Sequence, residues 1–324
     1  MKILIADKFE SHGRDVLSRA GYDVSFEPEL ETDALLKAME KSPYEVLVVR
    51  STRVTADMMK ACPALRMIIR AGSGYDTIDV TAAAERRIHV CNCPGQNSVA
   101  VAELTMGLMI ALDRRIVDET DDLRRGVWNK KRYSKARGLK GRTLGIIGLG
   151  RIGFEVARRA AAFEMELLYS DPIPHEAYEK ELPLKRVSLK ELYHRADFIS
   201  LHVPGGDATH HMIGAEELAA MKETACVINC SRGGVVDEVA LANAVADGVI
   251  AGAALDVYEI EPSAGAPNFE DPIGQVAQVY GTHHVGASTV QAQLAVADEV
   301  VKIIRTYADT GRCLNSVNAS DMAV

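Results

Sequence analysis

The sequence has no excess of positive charge. Its 37 lysines and arginines are outnumbered by 45 aspartates and glutamates, giving a formal net charge of −8. That balance excludes a general nucleic-acid binder, which needs a basic face. An anionic ligand must instead be held by a local cluster of cations. Long apolar runs are also missing. The most apolar stretch, Val99 to Leu112, is shorter than a membrane span and carries Glu103. The opening Met1-Lys2-Ile3-Leu4-Ile5-Ala6-Asp7 has too short an apolar run for a secretory signal. Metal-ligand spacing is absent as well: Cys91-x-Cys93 is not a zinc knuckle, and no His-x-His follows it. Cys62, Cys91, Cys93, Cys226, Cys230 and Cys313 therefore read as reduced core thiols of a cytoplasmic protein, with no metal. No repeat and no low-complexity tract is visible.

What is present is ordinary in bulk, 48% apolar and 25% charged residues. A chain of 324 residues can bury sizeable cores and predicts about two domains. Apolar runs at Ile3–Ala6, Val46–Val49, Met67–Ile69, Leu144–Ile147, Leu167–Tyr169, Phe198–Leu201, Cys226–Ile228 and Ala251–Leu255 read as buried strands. Helical segments such as Arg151–Phe163, Leu189–Arg195, Glu216–Met221 and Glu238–Ala246 alternate with them. Such alternation predicts α/β architecture, with parallel sheets covered by helices on both faces. Pro94-Gly95 interrupts the pattern and marks a crossing between two units. The last helix, about Val290–Ala308, follows completion of the second sheet and is expected to return to the first domain. The expected division is residues 1–98 plus 288–324 around an inserted domain of residues 99–287. Two crossings around a cleft would form a hinge.

Thr143 to Gly153 reads as a strand, a glycine turn and a helix start. In this G-x-G-x-x-G, Gly148 permits the tight turn, Gly150 lets the backbone approach a pyrophosphate, and Gly153 allows close helix–strand packing. The following helix presents free N–H groups and a positive dipole end to phosphates. A second strand, Leu167 to Ser170, ends in Asp171, about 20 residues on. A carboxylate there accepts ribose hydroxyls and repels a 2′-phosphate, which favours NAD. Arg151 keeps NADP as the alternative, because an arginine can accommodate that phosphate.

Ligands of open α/β sheets bind beyond the carboxyl ends of the strands. Three successive strands end there in Cys230-Ser231-Arg232-Gly233-Gly234, in Asp256-Val257-Tyr258-Glu259-Ile260-Glu261-Pro262 and in Thr282-His283-His284. An arginine, a carboxylate and a histidine suit reversible hydride transfer between an alcohol and a carbonyl. The histidine moves the hydroxyl proton, and the carboxylate raises its pKa and orients it. The arginine binds a substrate carboxylate as a fork. Glu261 competes with Glu259, which is expected to be solvated, and His284 with His283. His202, His210 and His211 read as structural or surface groups.

Together these stretches resemble the D-2-hydroxyacid dehydrogenases, and within them the phosphoglycerate dehydrogenase branch. The matching segments are Arg70–Asp76, Asn97-Ser98 with Ala102-Glu103-Leu104, Gly148–Gly153, Asn229–Asp237, Gly252–Pro262 and His284–Thr289. The resemblance implies a Rossmann NAD-binding domain inserted in a flavodoxin-like substrate-binding domain. It implies Arg232, Glu261 and His284 as the catalytic set. Asp256 would meet the nicotinamide amide. Ser73, Arg151, Ile152, Asp171, Gly286, Ala287, His284 and the backbone around Val203, Cys230 and Ser231 would line the cofactor. Gly72, Ser73 and Gly74 would join Arg232 and His284 at the substrate. A homodimer through the cofactor domains is also implied, using a long helix like Val99–Ile116 and the following arm with Trp128.

Arg50 and Arg70 follow apolar strands, so both are expected at the cleft. Two further arginines exceed the need of one carboxylate and suit a second anion such as a 3-phosphate. Val49-Arg50-Ser51 supports 3-phospho-D-glycerate as substrate, as in serine biosynthesis. Glyoxylate and hydroxypyruvate reductases share the triad, and corepressors of this fold act as NAD-sensing binding platforms. The regulatory domains of longer phosphoglycerate dehydrogenases are not expected here, nor is serine feedback through them. Gly205-Gly206-Asp207 departs from the usual family loop.

Overall fold

Short, continuous apolar runs, buried on both faces, build two parallel sheets. The structure is a computed structural model and describes residues 1–30, 32–262, 268–269 and 271–322. The chain divides into two compact units, Met1–Asn97 with Ser288–Val324, and Ser98–Ala287.

In the first unit the strands are β1 (Lys2–Ile5), β2 (Asp23–Phe26), β3 (Val46–Val49), β4 (Met67–Arg70) and β5 (His89–Asn92). They pair in the order β2-β1-β3-β4-β5, all parallel, which is the flavodoxin-like arrangement. Successive side chains point to opposite faces. Leu4, Leu47, Val49, Ile68 and Val90 therefore enter one core, while Ile3, Ile5, Val48, Met67 and Ile69 enter the other. The helix Val290–Thr310 covers that second face with Val296, Val300, Ile303 and Ile304. Their spacing gives one apolar stripe at helical period.

In the second unit the strands are β6 (Thr143–Ile147), β7 (Glu166–Ser170), β8 (Leu184–Arg186), β9 (Phe198–Leu201), β10 (Cys226–Asn229), β11 (Gly252–Leu255) and β12 (Val279–Gly281). Their order is β12-β11-β10-β9-β6-β7-β8, again all parallel. This is the doubly wound Rossmann order with a seventh strand. It reverses direction between β6 and β9, so the turn after β6 sits at the topological switch point. Leu144 and Ile146 enter one core and Ile147 the other, with the helices Ser98–Arg114 and Arg151–Ala162 packed together on the first face.

Two local expectations change. The helix expected from Val99 to Ile116 is not continuous. It ends at Arg114, Arg115 takes a left-handed φ of 55°, and a second helix runs from Ile116 to Arg124. Arg115 Nε donates to Asp118 at 2.8 Å, which ties the residue at the break to the first turn of the second helix. Strand β8 has no counterpart in the sequence reading. It is three residues long with Lys185 and Arg186 exposed, and it carries no apolar run. Pairing with β7, not its own hydrophobicity, makes it a strand. No helix among the described residues is long and apolar enough to cross a membrane.

Candidate active site

The glycine turn after β6 has the geometry its residues dictate. Gly148 has φ 89°, and a β-carbon there would lie 2.5 Å from the His202 carbonyl oxygen and 3.0 Å from Val203 Cγ1. A β-carbon on Gly153 would lie 2.3 Å from the Gly148 oxygen. At Gly150 it would meet nothing within 4 Å, so that backbone is open to a ligand. Gly150 also caps the helix Arg151–Ala162 without a side-chain bond, which leaves the first N–H groups available. Arg151 is exposed and Ile152 half-buried at the helix start.

Asp171 stands just past β7. Its Oδ2 accepts from Leu149 N–H at 2.8 Å and its Oδ1 from Ile173 N–H at 2.9 Å. The carboxylate is thereby fixed beside the turn. His175 Nε2, which lies 3.4 Å from Oδ2, is part of a ring stack through Tyr178 to Phe154 on the helix Arg151–Ala162. An open turn, an uncapped helix N-terminus and an anchored carboxylate fit the pyrophosphate and ribose of NAD.

Strands β10, β11 and β12 are neighbours, so Arg232, Glu261 and His284 follow adjacent carboxyl ends. His284 Nδ1 meets Glu261 Oε2 at 2.8 Å. Burial pushes the Glu261 carboxyl up. The hydrogen bond and charge of His284, the Tyr258 N–H and the charge of Arg232 more than offset this and hold it below its ordinary 4.5. With Glu261 ionised, Nδ1 carries the proton in that bond, and Nε2 is the nitrogen left for chemistry. His283 is exposed, and among the described residues the carboxylate bond on this edge belongs to His284.

Arg232 and His284 are each held by a buried polar residue. Asn229, 1% exposed, receives the Ser231 N–H at 3.0 Å and donates to the Arg232 carbonyl at 2.8 Å, shaping the turn that carries the guanidinium. Gly205 lies against the Arg232 stem, where a β-carbon would sit 3.1 Å from Cγ. Gly205 of that departing loop thus leaves room for the arginine. Asp256 accepts from Thr282 Oγ1 at 2.6 Å, Val285 N–H at 2.9 Å and Gly286 N–H at 2.8 Å. Those bonds bracket His284, whose φ of 52° is a left-handed conformation rare outside glycine. The Cys230 thiol is buried and pushed up to about 12 by that burial, so its backbone, not its sulfur, is what the edge offers.

Glu259 is exposed, in line with the solvated group expected from sequence, and its Oε1 lies 2.7 Å from His211 Nε2 on the segment after β9. His202 Nε2 meets Ser200 Oγ at 2.8 Å, and burial lowers its pKa to about 3.

In the first unit Arg50 and Arg70 sit at the carboxyl ends of the paired strands β3 and β4. Asp7 Oδ2 accepts from the backbone N–H of Arg50, Ser51 and Thr52 at 2.6, 3.1 and 3.1 Å, an anchor that the sequence reading missed. Gly72 has φ 154°, and its missing β-carbon is the space taken by the Arg70 guanidinium, whose Nη1 would be 1.5 Å from it. Ser73 Oγ donates to Asn97 Oδ1 at 2.7 Å, and Asn92 Nδ2 donates to the Ser73 carbonyl at 2.6 Å.

Comparison with known proteins adds to this geometry. Residues 106–286 match the model of the D-isomer specific 2-hydroxyacid dehydrogenase, NAD binding domain. The chain is 44% identical over 311 residues to a D-3-phosphoglycerate dehydrogenase of Methanocaldococcus jannaschii, covering 94% of this chain but 58% of that protein. It is 45% identical over 276 residues to a hydroxypyruvate reductase of Thermotoga maritima, covering 85% of this chain and 88% of that one. Among solved structures, the D-lactate dehydrogenase of Aquifex aeolicus complexed with NAD and lactic acid superposes with a TM-score of 0.84 at 26% identity. That match covers 98% of this chain and 99% of the other.

Proposed function

The chain belongs to the D-isomer specific 2-hydroxyacid dehydrogenases, and from that premise we propose that it interconverts a D-2-hydroxyacid and its 2-oxoacid with NAD. The pair proposed is 3-phospho-D-glycerate and 3-phosphooxypyruvate, a step of serine biosynthesis. The observation that carries the reading is the 2.8 Å bond between His284 Nδ1 and Glu261 Oε2, with Arg232 on the same sheet edge.

In oxidation, His284 Nε2 takes the hydroxyl proton, and in reduction it returns it. Glu261 holds the ring by Nδ1 and stabilises the imidazolium that forms. Arg232 binds the substrate carboxylate and keeps the reacting carbon in register. NAD, held by Gly148, Gly150, Gly153 and Asp171, supplies the hydride acceptor or donor when bound. Asp256 braces the His284 loop, and its contact with the nicotinamide amide belongs to the same proposal.

Arg50 and Arg70 are assigned to the substrate phosphate, because their adjacent strand ends offer two guanidinium groups beyond the one a carboxylate needs. Arg50→Ala and Arg70→Ala should each raise KM for 3-phosphoglycerate at least about ten-fold, with a smaller effect on unphosphorylated 2-hydroxyacids. Equal effects on both substrate classes would remove the phosphate assignment. A second reading, reduction of hydroxypyruvate, is favoured by the Thermotoga relative, 88% of whose length the chain covers. The exposed Ile116, Val117, Leu123, Val127 and Trp128 support a homodimer through this arm of the second unit.

A further inference from the structure

Glu238 is a carboxyl outside the proposed catalytic set, only 6% exposed, and the first residue of the helix Glu238–Ala246. Its Oε1 accepts the Glu259 N–H at 2.7 Å. Gly233 presses on the same peptide: a β-carbon there would sit 1.9 Å from the Tyr258 oxygen and 2.5 Å from the Glu259 nitrogen. Gly233 is the neighbour of Arg232, and Glu259 is two residues before Glu261. One peptide therefore joins the turn of the arginine to the loop of the glutamate, and Glu238 is its hydrogen-bond anchor.

We propose that Glu238 is a positioning residue that fixes the 258–259 peptide against Gly233, sets the spacing of Glu261 and Arg232, and holds more weakly as pH rises. The inference rests on the proposed dehydrogenase activity for its catalytic consequence alone.

The groups facing Glu238 are acidic. Asp271, which also caps Ile273 N–H at 2.9 Å, adds its negative charge, and Glu259 is close. Asp237 caps Ala240 N–H on the same helix, and His211 lies between Asp237 and Glu259. Tyr258 completes the surroundings. Burial, opposed by the Glu259 N–H and reinforced by Asp271 and Glu259, raises the Glu238 carboxyl from 4.5 to about 7. The sign follows from linkage. A released loop leaves Glu238 hydrated, with its proton lost near 4.5. Between 4.5 and 7 the anchored state alone keeps the proton, so rising pH favours release across that window, and the effect is flat above it.

Hydrogen exchange of the segment 257–261, corrected for intrinsic rates, reads the anchor directly. From pH 5 to pH 7.5 the corrected exchange of the wild-type chain should rise about ten-fold. In Glu238→Gln, which keeps an acceptor and cannot ionise, the rise should vanish. A rise that persists in Glu238→Gln, or none in the wild type, overturns the proposal. Kinetics read the consequence. Glu238→Ala should lower kcat about ten-fold with KM for NADH unchanged, and Glu238→Gln should restore kcat to within about two-fold. Equal kcat in wild type and Glu238→Ala overturns the positioning role. If the wild type reduces no 2-oxoacid, the activity reading fails, and exchange alone decides the inference.

Discussion

His284 is the residue at which most of the chemistry meets. Its left-handed backbone is a local cost of about 1 kcal/mol or more that surrounding contacts must offset. Asp256 does so with bonds to Thr282, Val285 and Gly286 on either side. His284→Ala should lower kcat about a thousand-fold, the scale of a lost general acid–base, while NADH affinity measured by fluorescence titration stays within about two-fold. Full turnover in that variant would remove His284 from the mechanism. The three polar side chains were visible in the sequence because each follows an apolar strand. Their supports were not. Nothing in an isolated Asp7, Asn229 or Asp256 tells which backbone N–H groups will converge on it, since those groups come from segments distant in sequence. Glu259 shows the same limit, for its partner His211 lies on a different loop.

Among elements, strands of four or five apolar residues declare themselves by composition, and the all-parallel sheets follow from their alternation with helices. Elements made by tertiary context do not. Strand β8 exists because β7 offers an edge, and the break at Arg115 is tied to the next helix by its bond to Asp118. The start of β6 depends on another such contact. Asp197 Oδ2 accepts Thr143 N–H at 3.0 Å, and Oδ1 lies 3.2 Å from Lys222 Nζ and 3.9 Å from Arg142 Nε. Burial pushes this carboxyl up, but the Thr143 N–H, Lys222 and Arg142 outweigh it and leave it below its ordinary 3.8. A depressed carboxyl contributes stability above its unfolded value and loses it as pH falls through the folded one. Asp197→Asn should therefore cost about 1 kcal/mol in urea unfolding at pH 7, because Arg142 keeps Asp113 at 2.9 Å and the partly exposed Lys222 is screened by water. The difference from wild type should fade once pH falls below 3.8. A difference independent of pH would mean that the charge is not what matters.

For the whole molecule, the order of motifs says more than any one of them. A glycine turn alone indicates only a dinucleotide, whereas Arg232, Glu261 and His284 after three adjacent strands define the proposed chemistry. The chain spans 58% of the length of the Methanocaldococcus relative, so the activity of that longer protein enters as a proposal. The proposed homodimer belongs to this scale too. Trp128 is 80% exposed beside the half-exposed Leu123 and Val127, a patch that water disfavours unless a second copy covers it. Trp128→Glu should convert a dimer to monomer in sedimentation velocity, and an unchanged sedimentation coefficient would direct the interface elsewhere.

The most direct test is kcat/KM with NADH against 3-phosphooxypyruvate, hydroxypyruvate, glyoxylate, pyruvate and 2-oxoglutarate. The prediction is turnover of 3-phosphooxypyruvate at least about ten-fold more efficient than of the unphosphorylated acids. No turnover of any 2-oxoacid would contradict the dehydrogenase assignment and leave an NAD-sensing binding protein in its place.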